Sequence, residues 1–476
     1  MLSFKTKLAY GLGGIGDCAS YSMIGTFAVF YLTTVVGVSP VAAGAIAAIG
    51  SMWQAVCGAF AGHISDHTRS KFGRRKPFII ASAVPLGIFI ALFFNAVEAS
   101  FPIQVLYYLI VMLLFWTAYT FFFVPYLALG SEITLDYSDR TALRGYSYFF
   151  NIIGMLIGVI APNLVVDALV QFGKSVEGAW SGSSILVGIS ISASILIMAF
   201  LTKTGEMQLD TEADSKTSAE HKRQGVISGS KEIITGCIEL FRFRPVRLLI
   251  LTSIFYLLAN TFFNAGRMYF FTYNLELSAV EISLVLMCME ISTAALVPTI
   301  LWLNRRVDKR SLFLSGMGIS VLSIIFLNMI GVNTFAYMCV FIVFYSIGGA
   351  CYWQLVTSMM YDACEADKLM NRKDRSGLIL SFQALSESLS NAIGLQMLGV
   401  ILNYAGFNET ATVQTQTALM ACEISAIGLP AVFMILTLVM VARYPITKQV
   451  YQRILSALEG RSRGQEPDLT AFQHLM

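Results

Sequence analysis

Charge is what this chain has least of. Asp, Glu, Lys and Arg make up 13% of its 476 residues, against about 25% in soluble domains. With 56% hydrophobic residues, it cannot cover a water-facing surface, so most of its solvent is lipid. Histidine is scarce as well, at four residues. His63 and His67 share a helical face, but they lie at the end of an apolar run in a basic loop, which does not read as a zinc site. The eight cysteines are scattered, mostly inside apolar runs, and none forms a C-x-x-C pair, so neither a disulfide framework nor a metal site is expected. No P-loop, metal-ligand cluster or nucleophile triad is present. These absences exclude an enzyme of any common class, an ATP-driven pump and a nucleic-acid binder. No cofactor is expected.

What the chain has is long apolar runs. A backbone in lipid must satisfy its own hydrogen bonds, which leaves helices or closed barrels. The runs are too long, and too apolar on all sides, for barrel strands of about ten alternating residues. Counting about twenty residues per crossing, the spans fall at 9–34, 41–62, 77–97, 103–130, 145–168, 180–201, 247–275, 280–303, 312–331, 333–361, 377–404 and 420–443. The expected fold is an all-α membrane protein of twelve helices. Lys5 and Lys7 precede the first run, which is too long for a cleaved signal and reads as a retained span.

The only long polar break, 203–246, divides the chain into a bundle of six spans at 1–202 and another at 247–446. Residues 205–226 read as a flexible linker, and Lys231 to Phe243 as an amphipathic helix on the membrane surface. The tail, 447–476, reads as a solvated extension.

Lys and Arg collect in alternate loops. Arg69, Lys71, Arg74, Arg75 and Lys76 follow the second span; Arg140 and Arg144 the fourth; Arg305, Arg306, Lys309 and Arg310 the eighth; Lys368, Arg372, Lys373 and Arg375 the tenth. The positive-inside rule then puts both termini in the cytoplasm of a cell-membrane protein. The loops after spans 2 and 8, and those after spans 4 and 10, echo each other as a duplicated six-helix unit would. Such repeats place a solute site near the midplane between the halves.

Gly62-x-x-x-Asp66 and Gly73-Arg74-Arg75 after the second span resemble the major facilitator superfamily. Further stretches resemble its glycoside-pentoside-hexuronide:cation symporters, the melibiose permease family. They are Lys7-Leu8-Ala9-Tyr10-Gly11-Leu12-Gly13, Val124-Pro125-Tyr126, Asp139-Arg140-Thr141, Phe243-Arg244-Pro245, and Met360-Tyr361-Asp362 with Glu365. The resemblance implies two pseudo-symmetric bundles, alternating access and symport of a small solute such as a sugar or glycoside. The implied solute-binding positions are Asp17, Cys18, Phe123, Tyr126, Tyr148, Asn151, Trp353, Gln383 and Ser388. Most of them depart from the family's polar residues, whereas Trp353 and Gln383 match. The family's two cation-binding aspartates on helix 2 fall at Gln54 and Gly58. The coupling ion, H⁺ or Na⁺, is therefore open, and Phe, Leu and Tyr at former polar positions keep a less polar solute (a lipid or steroid) as an alternative. A membrane sensor on the same fold is the reading outside transport.

Ionisable groups at membrane depth are costly and usually face a cavity or a partner. The candidates for coupling are Arg267, Glu290 and Glu387, with Asp17 near the inner end of the first span. Arg267 and Glu290 lie at similar depth, either as a static pair that fixes packing, as a titrating, solute-recognising pair, or with Glu290 simply reaching water. Asp66, Arg74, Arg75, Arg140, Arg144, Asp362, Glu365 and Arg375 stand at the cytoplasmic ends of helices. There, charge pairs across the halves would close an inner gate in one state and break in the other.

Overall fold

The computed structural model describes residues 2–68, 70, 73–133, 137–202, 239–330, 335–371, 375–408, 411, 414–462 and 472. Twelve long helical segments run in chain order. The first half holds α1 (Phe4–Thr34), α2 (Pro40–His67), α3 (Lys76–Phe93), α4 (Phe101–Ile133), α5 (Tyr137–Met155, a π turn at Leu156–Ile160, then Ala161–Gln171) and α6 (Val176–Leu201). The second half holds α7 (Arg244–Tyr269, with a π turn at Phe270–Asn274), α8 (Ala279–Arg306) and α9 (Lys309–Ile330). It continues with α10 (Phe335–Cys351, a π turn at Tyr352–Val356, then Thr357–Asn371), α11 (Ser376–Tyr404) and α12 (Gln416–Glu423, a π turn at Ile424–Gly428, then Leu429–Ala442). A further helix, α13 (Lys448–Ser462), follows.

Among the described residues, eleven helices are long and apolar enough to cross a bilayer. The twelfth is α1, whose 31 residues span about 46 Å at 1.5 Å per residue. It is the least apolar of the set because it carries Asp17, several hydroxyls and Gly11, Gly13, Gly14, Gly16 and Gly25. That composition suits its place, packed inside the protein against α5, α6 and α7. Small residues allow the approach: a Cβ at Gly154 of α5 would stand 2.7 Å from the Ile15 carbonyl oxygen. Several helices outrun their apolar stretches. One of them, α10, extends to Asn371, past the expected end at 361, because helix continues into the polar zone at each end of a span.

The two halves meet chiefly through α2 on α11, with α1 on α7 and α5 on α8. The α2–α11 crossing is set by Gly44 and Gly399. A Cβ at Gly44 would lie 2.7 Å from the Leu395 carbonyl oxygen, and one at Gly399 would collide with the Pro40 carbonyl. Both contacts lie at the ends of α2 and α11 away from the basic loops. Among the described residues, hydrogen bonds joining the halves run from that charge-poor end only to mid-helix: Thr33–Tyr269, Thr26–Arg267, Tyr21–Glu387 and Tyr21–Asn391.

At the basic end, three ion pairs between described residues lie within one half. Lys7 meets Asp139 at 2.8 Å, Lys309 meets Asp362 at 2.7 Å, and Arg375 meets Asp367 at 2.6 Å. Lys76 and Arg310 are likewise spent within their own halves, on the Thr202 and Ala442 carbonyls.

Two sequence expectations change here. The tail is not simply a solvated extension. Residues 448–462 form a helix, because Tyr451, Ile454, Ala457 and Leu458 repeat at helical spacing and pack inward, with Ile454 fully buried. Arg461 donates to the Lys368 and Leu369 carbonyls, which ties α13 to the end of α10. Most of the expected linker and surface helix, 203–238, lies outside the described residues. Its described end turns toward protein: Leu240 is fully buried, and Glu239 pairs with Arg375 at 2.9 Å.

Candidate functional site

Between the halves lies a cavity of about 300 Å³. Its walls come from α1, α2, α4 and α5 on one side and from α7, α8, α10 and α11 on the other. The polar face is mostly α7. Asn260, Asn264 and Arg267 follow each other at i, i+4 and i+7 and so share one side of that helix, turned to the cavity. A π turn begins three residues later, at Phe270, where it re-aims the end of the helix. Aromatic walls stand around this face: Tyr21 and Trp116 from the first half, Tyr256, Tyr345 and Trp353 from the second. Trp353 sits on the π turn of α10 and stays 47% exposed, so its ring is available to a ligand.

Arg267 is the most unusual residue of the site, a guanidinium with 1% exposure. One terminal nitrogen donates to Thr26 Oγ1 across the halves at 3.1 Å, and the other reaches only the Met289 thioether at 3.5 Å. Nε has no partner, and the Phe263 ring centroid lies 5.8 Å from the guanidinium carbon. Glu290, 8% exposed, lines the same cavity from α8, and its Oε1 is also unpartnered. No ion pair within 4.0 Å joins the two. Of the alternatives open in the sequence, the tight static pair is not what this geometry shows.

Glu387 and Asp17 lie off the cavity, each on a tyrosine. Tyr21 donates to Glu387 at 3.0 Å, and Asn391 donates to Tyr21 at 3.3 Å. Thr261 donates to Asn391 at 2.6 Å, which completes a chain from α7 through α11 to α1 and back to α11. Asp17 accepts from Tyr119 at 2.8 Å within the first half.

Of the positions carried by the resemblance, Trp353 alone lines the cavity. Tyr126 is buried core: it stacks on Tyr10 at 4.7 Å and bonds Ser147 at 2.7 Å. Asn151 faces α1, with its amide nitrogen donating to the Gly14 and Ser147 carbonyls at 3.0 and 3.1 Å. These two residues hold α1 to α4 and α5. Phe123 stacks on Tyr119 at 5.5 Å, and Gln383 donates to Thr357 at 3.2 Å. Tyr148 is exposed, and Cys18 and Ser388 are half-buried. On α2, Gln54 and Gly58 face partly open space with no carboxylate between them, and Trp53 donates to Thr117 at 2.9 Å.

The expected gate charges are distributed as follows. Asp362 holds Lys309, Arg375 holds Asp367 and Glu239, and Glu365 holds Lys368 at 3.1 Å. Arg75 donates to Ser65 at 2.7 Å. Arg74 and Arg144 are exposed, and the side chains of Asp66 and Arg140 lie outside the described residues. At the same end, Lys7 and the Leu2 backbone N–H hold the Asp139 carboxyl below the ordinary carboxylate range.

Sequence reasoning missed Tyr21, Thr26, Asn260, Asn264 and Asn391. A signal was present. All but Thr26 lie one or two helical turns from a flagged charge: Tyr21 four after Asp17, Asn391 four after Glu387, and Asn260 and Asn264 seven and three before Arg267.

Comparison with known proteins agrees with this architecture. A family model described as MFS/sugar transport protein matches residues 9–448. The Glucuronide carrier protein homolog of Escherichia coli (strain K12) is 23% identical, covering 98% of this chain and 97% of its own. The isoprimeverose transporter of Lactiplantibacillus pentosus is 22% identical, covering 96% and 92%. Among solved structures, a D-xylose-proton symporter superposes with a TM-score of 0.64 at 12% identity over 93% of this chain and 98% of its own. A proton-dependent oligopeptide transporter gives 0.68 at 14% identity over 94% and 99%. A cavity between two six-helix halves, with that family match across nearly its whole length, makes this chain a member of the MFS/sugar transport family and a secondary active transporter rather than an enzyme.

Proposed function

We propose that this chain is a symporter that brings a sugar-like solute into the cell with a proton as its coupling ion. The observation that carries the reading is the pairing of Arg267 and Glu290 on one cavity, both buried and neither within 4.0 Å of an opposite charge. Glu290 lines the cavity with its Oε1 unpartnered, which places a carboxylate where it can take up and release a proton, and the free energy of its protonation depends on what occupies Arg267. The α2 positions Gln54 and Gly58 lack the carboxylate oxygens a sodium site needs. Flat aromatic walls beside Asn260 and Asn264 suit a hydroxylated ring, with stacking on its apolar face and amides on its hydroxyls. Names among the relatives, an isoprimeverose transporter and a lactose permease, support the sugar-like class.

The same reading orients the molecule. With the basic loops in the cytoplasm, the structure is closed outside by Gly44, Gly399 and the Thr33–Tyr269 bond, at 2.6 Å, and opens inward. In the outward-facing state, some of the residues now pairing within a half at the inner end exchange partners across the gap. The test is uptake of a labelled glycoside panel into proteoliposomes under an imposed pH or sodium gradient. Acid-outside stimulation is expected. Sodium stimulation without a pH effect would contradict the reading.

A further inference from the structure

One glycine of α1 is not used in packing. A Cβ at Gly11, Gly13 or Gly16 would stand 2.7, 2.6 or 2.5 Å from Phe150, Tyr126 or Ile195, and one at Gly14 would collide with Asn151. Those four glycines let α4, α5 and α6 approach the helix. Gly25 differs. A Cβ there would meet no atom within 4 Å. Gly25 is exposed, whereas the three residues before it and the four after it are all buried. Nor does the backbone require glycine, since Gly25 lies inside a regular helix and is not among the positive-φ glycines. The residue weakens the helix without serving its packing.

The face of α1 that carries Gly25 is the one turned to the cavity: Tyr21, Gly25 and Val29, at steps of four, all line it. The next residue, Thr26, accepts from Arg267 at 3.1 Å, so the gap over Gly25 lies beside the charged part of the site. The cavity holds about 300 Å³, the small end of ligand pockets, which run from about 300 to 1,000 Å³. One added side chain would take a substantial share of that room. We infer that Gly25 determines the size of solute the transporter accepts: the space left by its missing side chain receives the substituent carried by a sugar-like ring, while the ring itself lies on the aromatic and amide walls. The inference rests on the sugar-like reading of the cavity. Polar recognition then stays with the second half, and the first half limits size. A hinge is the competing use of a glycine inside a helix. It has a different consequence, because a side chain at a hinge slows every solute alike, whatever its size.

The test uses the full chain in detergent, as wild type and as Gly25→Ala, Gly25→Val and Gly25→Leu. The probes are glucose, galactose and xylose, each as the free sugar, the methyl glycoside and the p-nitrophenyl glycoside, with binding read by calorimetry. For at least one sugar the wild type should bind both glycosides. Gly25→Leu should then weaken the p-nitrophenyl glycoside relative to its methyl counterpart by about 10-fold or more, Gly25→Val less and Gly25→Ala least, while the free sugar and methyl glycoside stay within about 3-fold of wild type. Melting curves show that the variants fold: Gly25→Ala should melt no lower than wild type, whereas Gly16→Leu, which meets Ile195, should melt lower.

Three results would overturn the inference: a p-nitrophenyl to methyl ratio in Gly25→Leu that stays at the wild-type value, equal losses for probes of every size, or a wild type that binds methyl glycosides and no p-nitrophenyl glycoside. Failure of every sugar probe to bind the wild type would instead remove the sugar-like reading, and the gap is then read without a solute. Gly25→Cys should form a mixed disulfide with benzyl methanethiosulfonate as readily as with the methyl reagent, followed at its own peptide by mass spectrometry. Reaction with the methyl reagent alone, or with neither, would overturn the inference on this arm as well.

Discussion

The two halves of the molecule divide its work unevenly. The first half carries the stretch that identifies the fold, from Gly62 to Lys76, and packs tightly around α1 through Tyr126, Asn151 and Gly154. To the cavity it offers aliphatic side chains together with a few aromatic rings and hydroxyls, among them Tyr21, Thr26, Ser51 and Trp116. The second half supplies Asn260, Asn264, Arg267, Glu290 and Asn391, so both charges and every amide of the cavity come from one side. The pseudo-symmetry therefore holds for the backbone and not for the chemistry. A duplicated scaffold can keep its gating loops in both halves while one half comes to define the cargo and the other supplies a surface to close against.

That asymmetry can be broken experimentally, and the largest effect belongs to Arg267. Arg267→Gln leaves Glu290 without a counter-charge and the cavity without its cation, and should lower transport efficiency by about 100-fold or more, read as kcat/KM for uptake. Next comes the closure at the far end of α2. Gly399→Val puts a side chain into the Pro40 carbonyl, so the halves cannot close there. Uptake should fall by about 10-fold or more while binding of solute from that side persists, with thiol labelling from that side enhanced. A purely structural defect would instead lower both.

Smaller changes are expected in the cross-half chain. Tyr21→Phe removes the hydrogen bond to Glu387, and interhelical hydrogen bonds in membranes average about 0.6 kcal/mol, or roughly 3-fold in an equilibrium. A shift of that size in uptake rate, with KM nearly unchanged, marks a contact between conformations rather than a solute contact. Smaller still is Gln54→Ala on α2, which should leave efficiency within about 2-fold because its surroundings hold no carboxylate or cavity contact.

The smallest effect concerns Asp139, and it has a defined pH window. Its carboxyl is held below the ordinary range by Lys7. Stability from the pair is thus fully present above the unfolded value of about 3.9 and lost as pH falls through the folded value. Melting curves of the wild type and of Asp139→Asn should differ at neutral pH and converge in strong acid.

Much of this was legible in the chain. Helix number, order and the break at 203–246 follow from lengths of apolar runs, because the bilayer sets one thickness for all of them. The cavity charges Arg267 and Glu290 were visible because ionisable side chains are rare at that depth. The solute-facing surface was far less legible. Tyr126 and Asn151 occupy positions where a relative's pattern suggests ligand contact, yet Gly13 and Gly14 let α1 come so close that both side chains are consumed in packing. Neutral polar residues such as Asn260 and Asn264 were marked only by their helical spacing from Arg267, a weak signal since an Asn in an apolar helix can bond to a neighbouring helix just as well. Their role came into view only when α7 was seen to turn one face, ending at Arg267, into the space between the halves. The α13 helix was overlooked for a related reason: its inward residues are too few to stand out until α10 provides the surface they cover.

The central claim is that Glu290 carries the coupling proton. It is tested most directly by comparing two modes of transport in Glu290→Gln proteoliposomes. Solute-for-solute exchange needs the halves to alternate but needs no net proton movement, whereas accumulation under an acid-outside gradient needs both. The account predicts that exchange persists at near wild-type rate while gradient-driven accumulation disappears. Accumulation at the wild-type level, with its pH dependence intact, would contradict it.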